Sequence, residues 1–386
     1  MNLEKFKNTK FIFIVNNYKA FGGAERQALI FATYLLEHVT DNVAFLALGD
    51  GENFKSRLED FDITTYCFPF NHNASKPKKI IQYLNLIRFL KKLNPDVLIP
   101  YVAESNKVVA QIWKHTGAKF AFWNQREEGR KLYGSKRENK LIRQLPAIVS
   151  NSFEGKQALM RVYGLEAKDI IVINNGVVPY GKDVTIINWH EKLDIEPSRP
   201  IVAMIANITD RKDHETLLKA WKKVVDWCKN NERNIPFLIL AGRKANAYNK
   251  LRLLAFDLKL SDHIAFIGEI NPVQPLIKST LFCVFSSNLE GCPNGVLECM
   301  EQGKAVIGTD ISGVRQALGD RYDNSCISQP NNPDSLFEKI IELYKSPDLI
   351  EEIGHNNSQK IASDFSVEKM AKAHLKLIEE KIFEKE

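Results

Sequence analysis

A chain of 386 residues with 44% hydrophobic and 26% charged residues has the composition of a globular protein and is longer than one core normally serves. No apolar run approaches the roughly 18 to 20 residues of a membrane-spanning helix, and six cysteines without a CxxC pair exclude a disulfide framework and suit reduced cytosolic thiols. The net charge of +6 is uneven: residues 1–185 hold about 27 Lys and Arg against about 18 Asp and Glu, near +9, which leaves the remainder near −3.

Strand and helix patterns alternate along the chain. Lys5, Lys7 and Lys10 before Phe11–Val15 look like the start of a signal peptide, but Asn16 and Asn17 end the apolar stretch too early, so a first strand is expected. Helical spacing follows over Gly22–Glu37, then a strand over Val43–Leu48, an amphipathic helix over Ile80–Leu93 and a strand over Val97–Pro100. Lys119–Trp123, Ala147–Val149 and Ile170–Ile173 read as short strands, with Ser152 as the N-cap of the helix that runs to Arg161. Pro179, Gly181, Pro197 and Pro200 interrupt the rhythm, which places a linker at 181–199. A second series follows: strands Ile201–Ile205, Phe237–Leu240, Ile264–Ile267, Leu281–Phe285 and Ala305–Gly308, with helices His214–Cys228, Asn249–Leu258 and Gly295–Gln302. Residues 366–386 form an amphipathic helix. The βαβα order predicts an α/β protein with two Rossmann-like domains, 1–180 and 200–365, each a mainly parallel sheet covered by helices.

Three segments at strand ends carry candidate chemistry. In Ser286 to Glu298, Glu290 falls in the loop and Glu298 one turn into a helix. Between them Asn294, Gly295 and Val296 bring backbone N–H groups to the helix start, a seat for phosphate, while the flanking carboxylates suit sugar and ribose hydroxyls. In Asn207 to His214, Arg211 and Lys212 at a βα junction can neutralise a departing diphosphate, although a basic pair alone is an ordinary solvated feature. Gly22 and Gly23, after the first strand, let the backbone pass close to a ligand; the segment is not GxGxxG, so a nicotinamide fingerprint is missing. No HExxH or carboxylate cluster suggests a metal. Two basic clusters, Lys76 to Lys92 and Arg126 to Arg143, suit an anionic membrane surface; no nucleic-acid-binding module is recognised.

Glu290 and Glu298, with Gly291, Pro293, Asn294, Met300, Gly303, Ala305-Val306-Ile307 and Gly313 around them, resemble the E-x7-E region of glycosyltransferase family 4, of the GT-B fold. The resemblance implies two domains facing across a cleft, a C-terminal helix (366–386) packing back on the N-terminal domain, and retention of anomeric configuration. It gives Glu290 to the donor-sugar hydroxyls, Glu298 to the nucleotide ribose, Lys212 to the diphosphate, and Gly22 and Gly23 to the donor side. Asn207 stands where the family usually has Arg, and Asp213 where it often has Gly, so Arg211 becomes the candidate second cation. Arg243 and Ile270 match the nucleobase pocket by position only. Where many relatives carry His, this chain has Asn124 to Glu128, so Arg126 and Glu127 are the acceptor-side candidates, Glu127 also a candidate catalytic group.

The resulting expectation is a cytoplasmic glycosyltransferase that moves a hexose or N-acetylhexosamine from a UDP-sugar to a glycan or polyprenyl-linked glycan, with no metal or other cofactor; peripheral attachment to the inner membrane face is the accompanying option. GDP-mannose-dependent mannosyl transfer, sugar-nucleotide epimerisation and a non-catalytic nucleotide-sugar adaptor stay open as alternatives.

Overall fold

Strand β1, Phe11–Val15, is buried along its whole length, and its alternate residues enter two different cores. Phe11, Phe13 and Val15 face one helical layer, Ile12 and Ile14 the other. That double burial explains why the strand reads as an unbroken apolar run. The computed structural model describes residues 2–19, 21–180 and 187–383. They form two compact units: one runs to Val178 and resumes at Ser366, the other spans Pro179–Phe365.

In the first unit β1 lies between β2 (Val43–Ala47) and β4 (Val97–Pro100), flanked by β3 (Thr64–Cys67) and β5 (Phe120–Ala121), in the order β3-β2-β1-β4-β5. Phe122 alone separates β5 from β6 (Trp123–Gln125), which begins a three-stranded sheet with β7 (Ile148–Ser150) and β8 (Ile170–Val172). Every strand pairing is parallel. The expected single strand Lys119–Trp123 is thus two strands in two sheets. The helix Val367–Ile382 buries Met370, Ala371, Leu375 and Ile378 in the core around Phe13. Its His374 is fully buried beside Phe31, ring centroids 4.8 Å apart. The Gln27 side-chain amide clamps Gly176, donating to its carbonyl at 2.8 Å and accepting from its N–H at 2.9 Å.

The second unit has one parallel sheet: β9 (Ile201–Ile205), β10 (Phe237–Ala241), β11 (Ile264–Gly268), β12 (Phe282–Phe285), β13 (Val306–Thr309) and β14 (Ile327–Ser328), in the order β11-β10-β9-β12-β13-β14. Counted from its first strand this is 3-2-1-4-5-6, the Rossmann order, with its reversal between β9 and β12. Residues 187–199, expected as linker, instead belong to this unit. Asn188 caps a helical turn, Trp189–Lys192, and Trp189 and Ile195 are buried against Ile201 and Phe237. Their apolar side chains outweigh the prolines that suggested a tether. Residues 181–186 of that expected linker lie outside the described residues. Strands β3 and β14 had no signal in the sequence: β3 is half exposed and β14 has two residues. Among the described residues no helix is long and apolar enough to cross a membrane.

Candidate active site at the ends of strands β9 and β12

The chain leaves β9 through Ala206 to Asp213 and leaves β12 through Ser286 to Pro293. Both loops therefore start beside the strand-order reversal, where sheets of this type bind ligands. Four contacts stitch them together. The Asn288 N–H donates to the Arg211 carbonyl at 2.9 Å. Ser286 Oγ lies within hydrogen-bond reach of the Lys212 carbonyl (3.1 Å) and the Asp213 carbonyl (2.8 Å). The Lys212 ammonium bonds to Glu290 Oε1. Within the β12 loop, Ser287 Oγ donates to the same carboxylate oxygen at 2.7 Å. Lys212 and Glu290 retain 22% and 12% side-chain exposure, so the pair is partly desolvated yet reachable.

Asp213 occupies the left-handed region (φ 47°), where glycine is otherwise favoured. Its carboxylate accepts from the Thr216 N–H at 3.2 Å and caps the helix His214–Asn230. This double duty accounts for an Asp at a position where the related pattern often has Gly. His214, the next residue, is buried, and neither ring nitrogen has a hydrogen-bond partner among the described residues. Burial, reinforced by Lys212, pushes its pKa down to about 3 and keeps the imidazole neutral.

Two glycines set how closely the helices approach. A Cβ at Gly295 would lie 2.4 Å from the Ile205 carbonyl at the end of β9. One at Gly313 would lie 2.2 Å from the Gly291 carbonyl and 2.6 Å from that of Glu290. The helix Asn294–Glu301 follows Pro293, whose side chain offers no acceptor to its first N–H groups. Helix starts of this kind can hold anions in general. Glu298 lies half-buried in this helix, one turn on. Asn207 Oδ1 accepts from the Arg243 N–H at 3.1 Å, so its side chain ties the β9 loop to the β10 loop. Arg243 is exposed, and Ile270 packs against the core with Ile205 and Ile267.

In the first unit the Gly22 N–H donates to Glu25 Oε2 at 3.1 Å, a capping box at the start of the helix Gly23–His38. That helix start thus carries its own carboxylate. Arg126 is only 8% exposed; its Nη2 donates to Asn175 Oδ1 at 2.6 Å and its guanidinium sits 5.1 Å from the Tyr101 ring centroid. Glu127 is half-buried, and its main-chain carbonyl accepts from Gln125 Nε2 at 2.8 Å.

Two family models match almost end to end: Glycosyltransferase Family 4 over residues 21–179 and Glycosyl transferases group 1 over residues 185–360. The chain belongs to glycosyltransferase family 4. It is a glycosyltransferase enzyme, with the GT-B fold of two Rossmann-like domains. The chain is similar to the N,N'-diacetylbacillosaminyl-diphospho-undecaprenol alpha-1,3-N-acetylgalactosaminyltransferase of Campylobacter jejuni, 24% identical over 84% of this chain and 88% of that protein. It is also similar to the lipopolysaccharide core biosynthesis glycosyltransferase LpsE of Rhizobium meliloti, 24% identical over 49% of this chain and 53% of that one. Among solved structures, Anabaena HepE in complex with UDP superposes with a TM-score of 0.80 at 17% identity, covering 96% of this chain and 99% of HepE.

Within this glycosyltransferase, Lys212 and Glu290 are brought into direct contact and Arg211 joins them through its backbone. Asn207 and Arg243 meet each other one strand away. Sequence reasoning missed Ser286, Ser287 and Asp213, which fix the two loops. The available signal was two serines directly after an apolar strand and an Asp directly before a helix.

Proposed function

We propose that this glycosyltransferase moves a hexose or N-acetylhexosamine from a UDP-sugar, with retention of anomeric configuration, to a glycan or lipid-linked glycan in surface polysaccharide assembly. The observation that carries this reading is the Lys212–Glu290 pair at the strand-order reversal, just ahead of the helix start at Asn294–Val296, which we assign to the diphosphate. In the free enzyme each charge neutralises the other. An arriving diphosphate takes Lys212 as its counter-charge and frees Glu290 to accept hydrogen bonds from sugar hydroxyls. As the bond from the anomeric carbon to the diphosphate breaks, negative charge gathers on the leaving oxygens, where Lys212, Arg211 and the helix N–H groups stabilise it. The acceptor hydroxyl attacks from the same face, and the departing diphosphate takes its proton. Glu298 is assigned to the ribose, Arg243 and Ile270 to the base, and Gly22, Gly23 and Asn207 to the donor side. Glu127 is assigned to the acceptor, with Arg126 positioning it from below the surface. No metal enters this scheme.

The names of the relatives support the substrate classes: the Campylobacter protein is named for an undecaprenyl-diphosphate-linked acceptor, and HepE was solved with UDP. A lipid-linked acceptor places the enzyme at the cytosolic face of a membrane. A thermal-shift panel of UDP, GDP, ADP and their sugars tests the donor. A ligand at 100 times its Kd stabilises by about 2.7 kcal/mol, a readily measured rise in Tm. Stabilisation by GDP and not by UDP would replace the donor with GDP-mannose.

A further inference from the structure

The first unit carries a basic helix whose outer face is apolar. The helix Lys76–Leu93 turns Leu86 and Leu90 into the core, with Tyr83, Ile87, Phe89 and Leu93 packed beside them. That set already satisfies its inner face. Ile80, Ile81 and Leu84 point the other way and are 60%, 57% and 48% exposed. At helical spacing they share one side with Arg88, Lys91 and Lys92. From residue 63 to residue 95 the chain has six Lys and Arg and no Asp or Glu. Among the described residues none of those six forms an ion pair, although Lys55, Lys107 and Lys119 elsewhere in this unit do.

Lys131 of the second basic cluster approaches the start of this helix. Burial lowers the pKa of His72, Glu104 opposes this, and Lys79, Lys107 and Lys131 lower it further, so cations from three separate segments crowd one imidazole. Tyr133 stands 70% exposed, its ring 4.2 Å from Lys107 Nζ and its N–H held by Glu138 at 3.1 Å. A half-exposed aliphatic ridge flanked by cations that form no ion pair among the described residues matches an anionic lipid surface: acyl chains take the aliphatic groups and headgroups take the cations. Nucleic acid would use the cations and leave the isoleucines in water.

We propose that the outer face of the helix Lys76–Leu93, through Ile80, Ile81 and Leu84 flanked by Arg88, Lys91 and Lys92, docks this protein on an anionic lipid bilayer. The inference goes beyond glycosyl transfer and needs no donor.

Flotation of the full chain with phosphatidylglycerol–phosphatidylcholine vesicles, and with pure phosphatidylcholine vesicles, tests it. Binding to the anionic vesicles should exceed binding to the neutral ones by about tenfold or more and weaken at about 0.5 M salt. The triple variant Ile80→Ser/Ile81→Ser/Leu84→Ser should lose about tenfold in partitioning. The variant Arg88→Gln/Lys91→Gln/Lys92→Gln should lose as much, together with the salt dependence. These side chains are exposed, so both variants should melt like the parent and keep its nucleotide-induced thermal shift. Loss of that shift in the parent would count against the donor reading alone. Equal binding of the parent to both vesicle types, or unchanged binding by the isoleucine variant, overturns the docking face. Tight binding of an RNA homopolymer with no vesicle binding overturns it in favour of a nucleic-acid partner.

Discussion

The Lys212 ammonium group bonds to the Glu290 carboxylate across the point where the strand order of the second sheet reverses. Neither residue reaches that position alone: the contacts of Asn288 with Arg211, and of Ser286 with Lys212 and Asp213, hold the two loops in register. Lys212→Ala should lower kcat by about 10²- to 10³-fold, as loss of one transition-state charge contact typically does. Glu290→Gln should cost activity as well. The double variant should be no worse than the worse single one, because each single change leaves a partly buried charge without its partner. Steady-state release of nucleoside diphosphate from each variant measures this, and strictly additive losses would contradict a shared role.

Gly313 supports Glu290 from behind. A methyl group there meets the Glu290 and Gly291 carbonyls well inside contact distance, so the loop must move. Gly313→Ala should raise KM for the donor and destabilise the second unit by about 1–3 kcal/mol, the usual range for overpacking. Steady-state kinetics with varied donor and urea unfolding give the two quantities.

Asp213 separates a backbone requirement from a capping one. Asp213→Gly keeps the left-handed conformation and loses only the cap, a change of about 1 kcal/mol or less. Asp213→Ala loses the cap and strains the backbone, for about 2 kcal/mol in total. The order Gly above Ala in urea midpoint is the diagnostic; the reverse order would show that φ at this position carries no cost.

His214 should make the second unit acid-sensitive. Its folded pKa of about 3 lies below the ordinary 6.5, so the unfolded chain binds the extra proton. The stabilising contribution is complete above pH 6.5 and is lost as pH falls toward 3. At pH 5 the loss is on the order of 2 kcal/mol. His214→Leu should remove that slope between pH 7 and 5, read as the difference in urea midpoint from the parent. In the first unit His374, pushed by burial down to about 4, imposes the same kind of slope independently.

The elements that the sequence reading located were those with an apolar run or a cap of their own. β9, β12 and the helix from His214 were legible because Ile201–Ile205 and Phe282–Phe285 are continuous apolar runs and His214–Cys228 has an amphipathic period. β3 was not legible because its four residues, Thr64 to Cys67, are polar or half exposed and are held by pairing to β2. The residues from Trp189 to Ile195 were misread because prolines on either side signal a loop, while burial against Ile201 and Phe237 is a long-range fact.

Taken by itself, the sequence determined the alternation of strands and helices, the family through Glu290, Glu298 and their glycine-rich flanks, and the chemical types available at the strand ends. These are local properties: periodicity, conformational preference and side-chain chemistry are written residue by residue. Only the tertiary structure decided that β9 and β12 are neighbours, that Lys212 meets Glu290, that Arg126 is buried against Asn175, and that Ile80, Ile81 and Leu84 face outward. Those outcomes depend on strand order and on which helix face the core takes up. Pairing and packing between residues far apart in the chain fix both, and no local window contains that information.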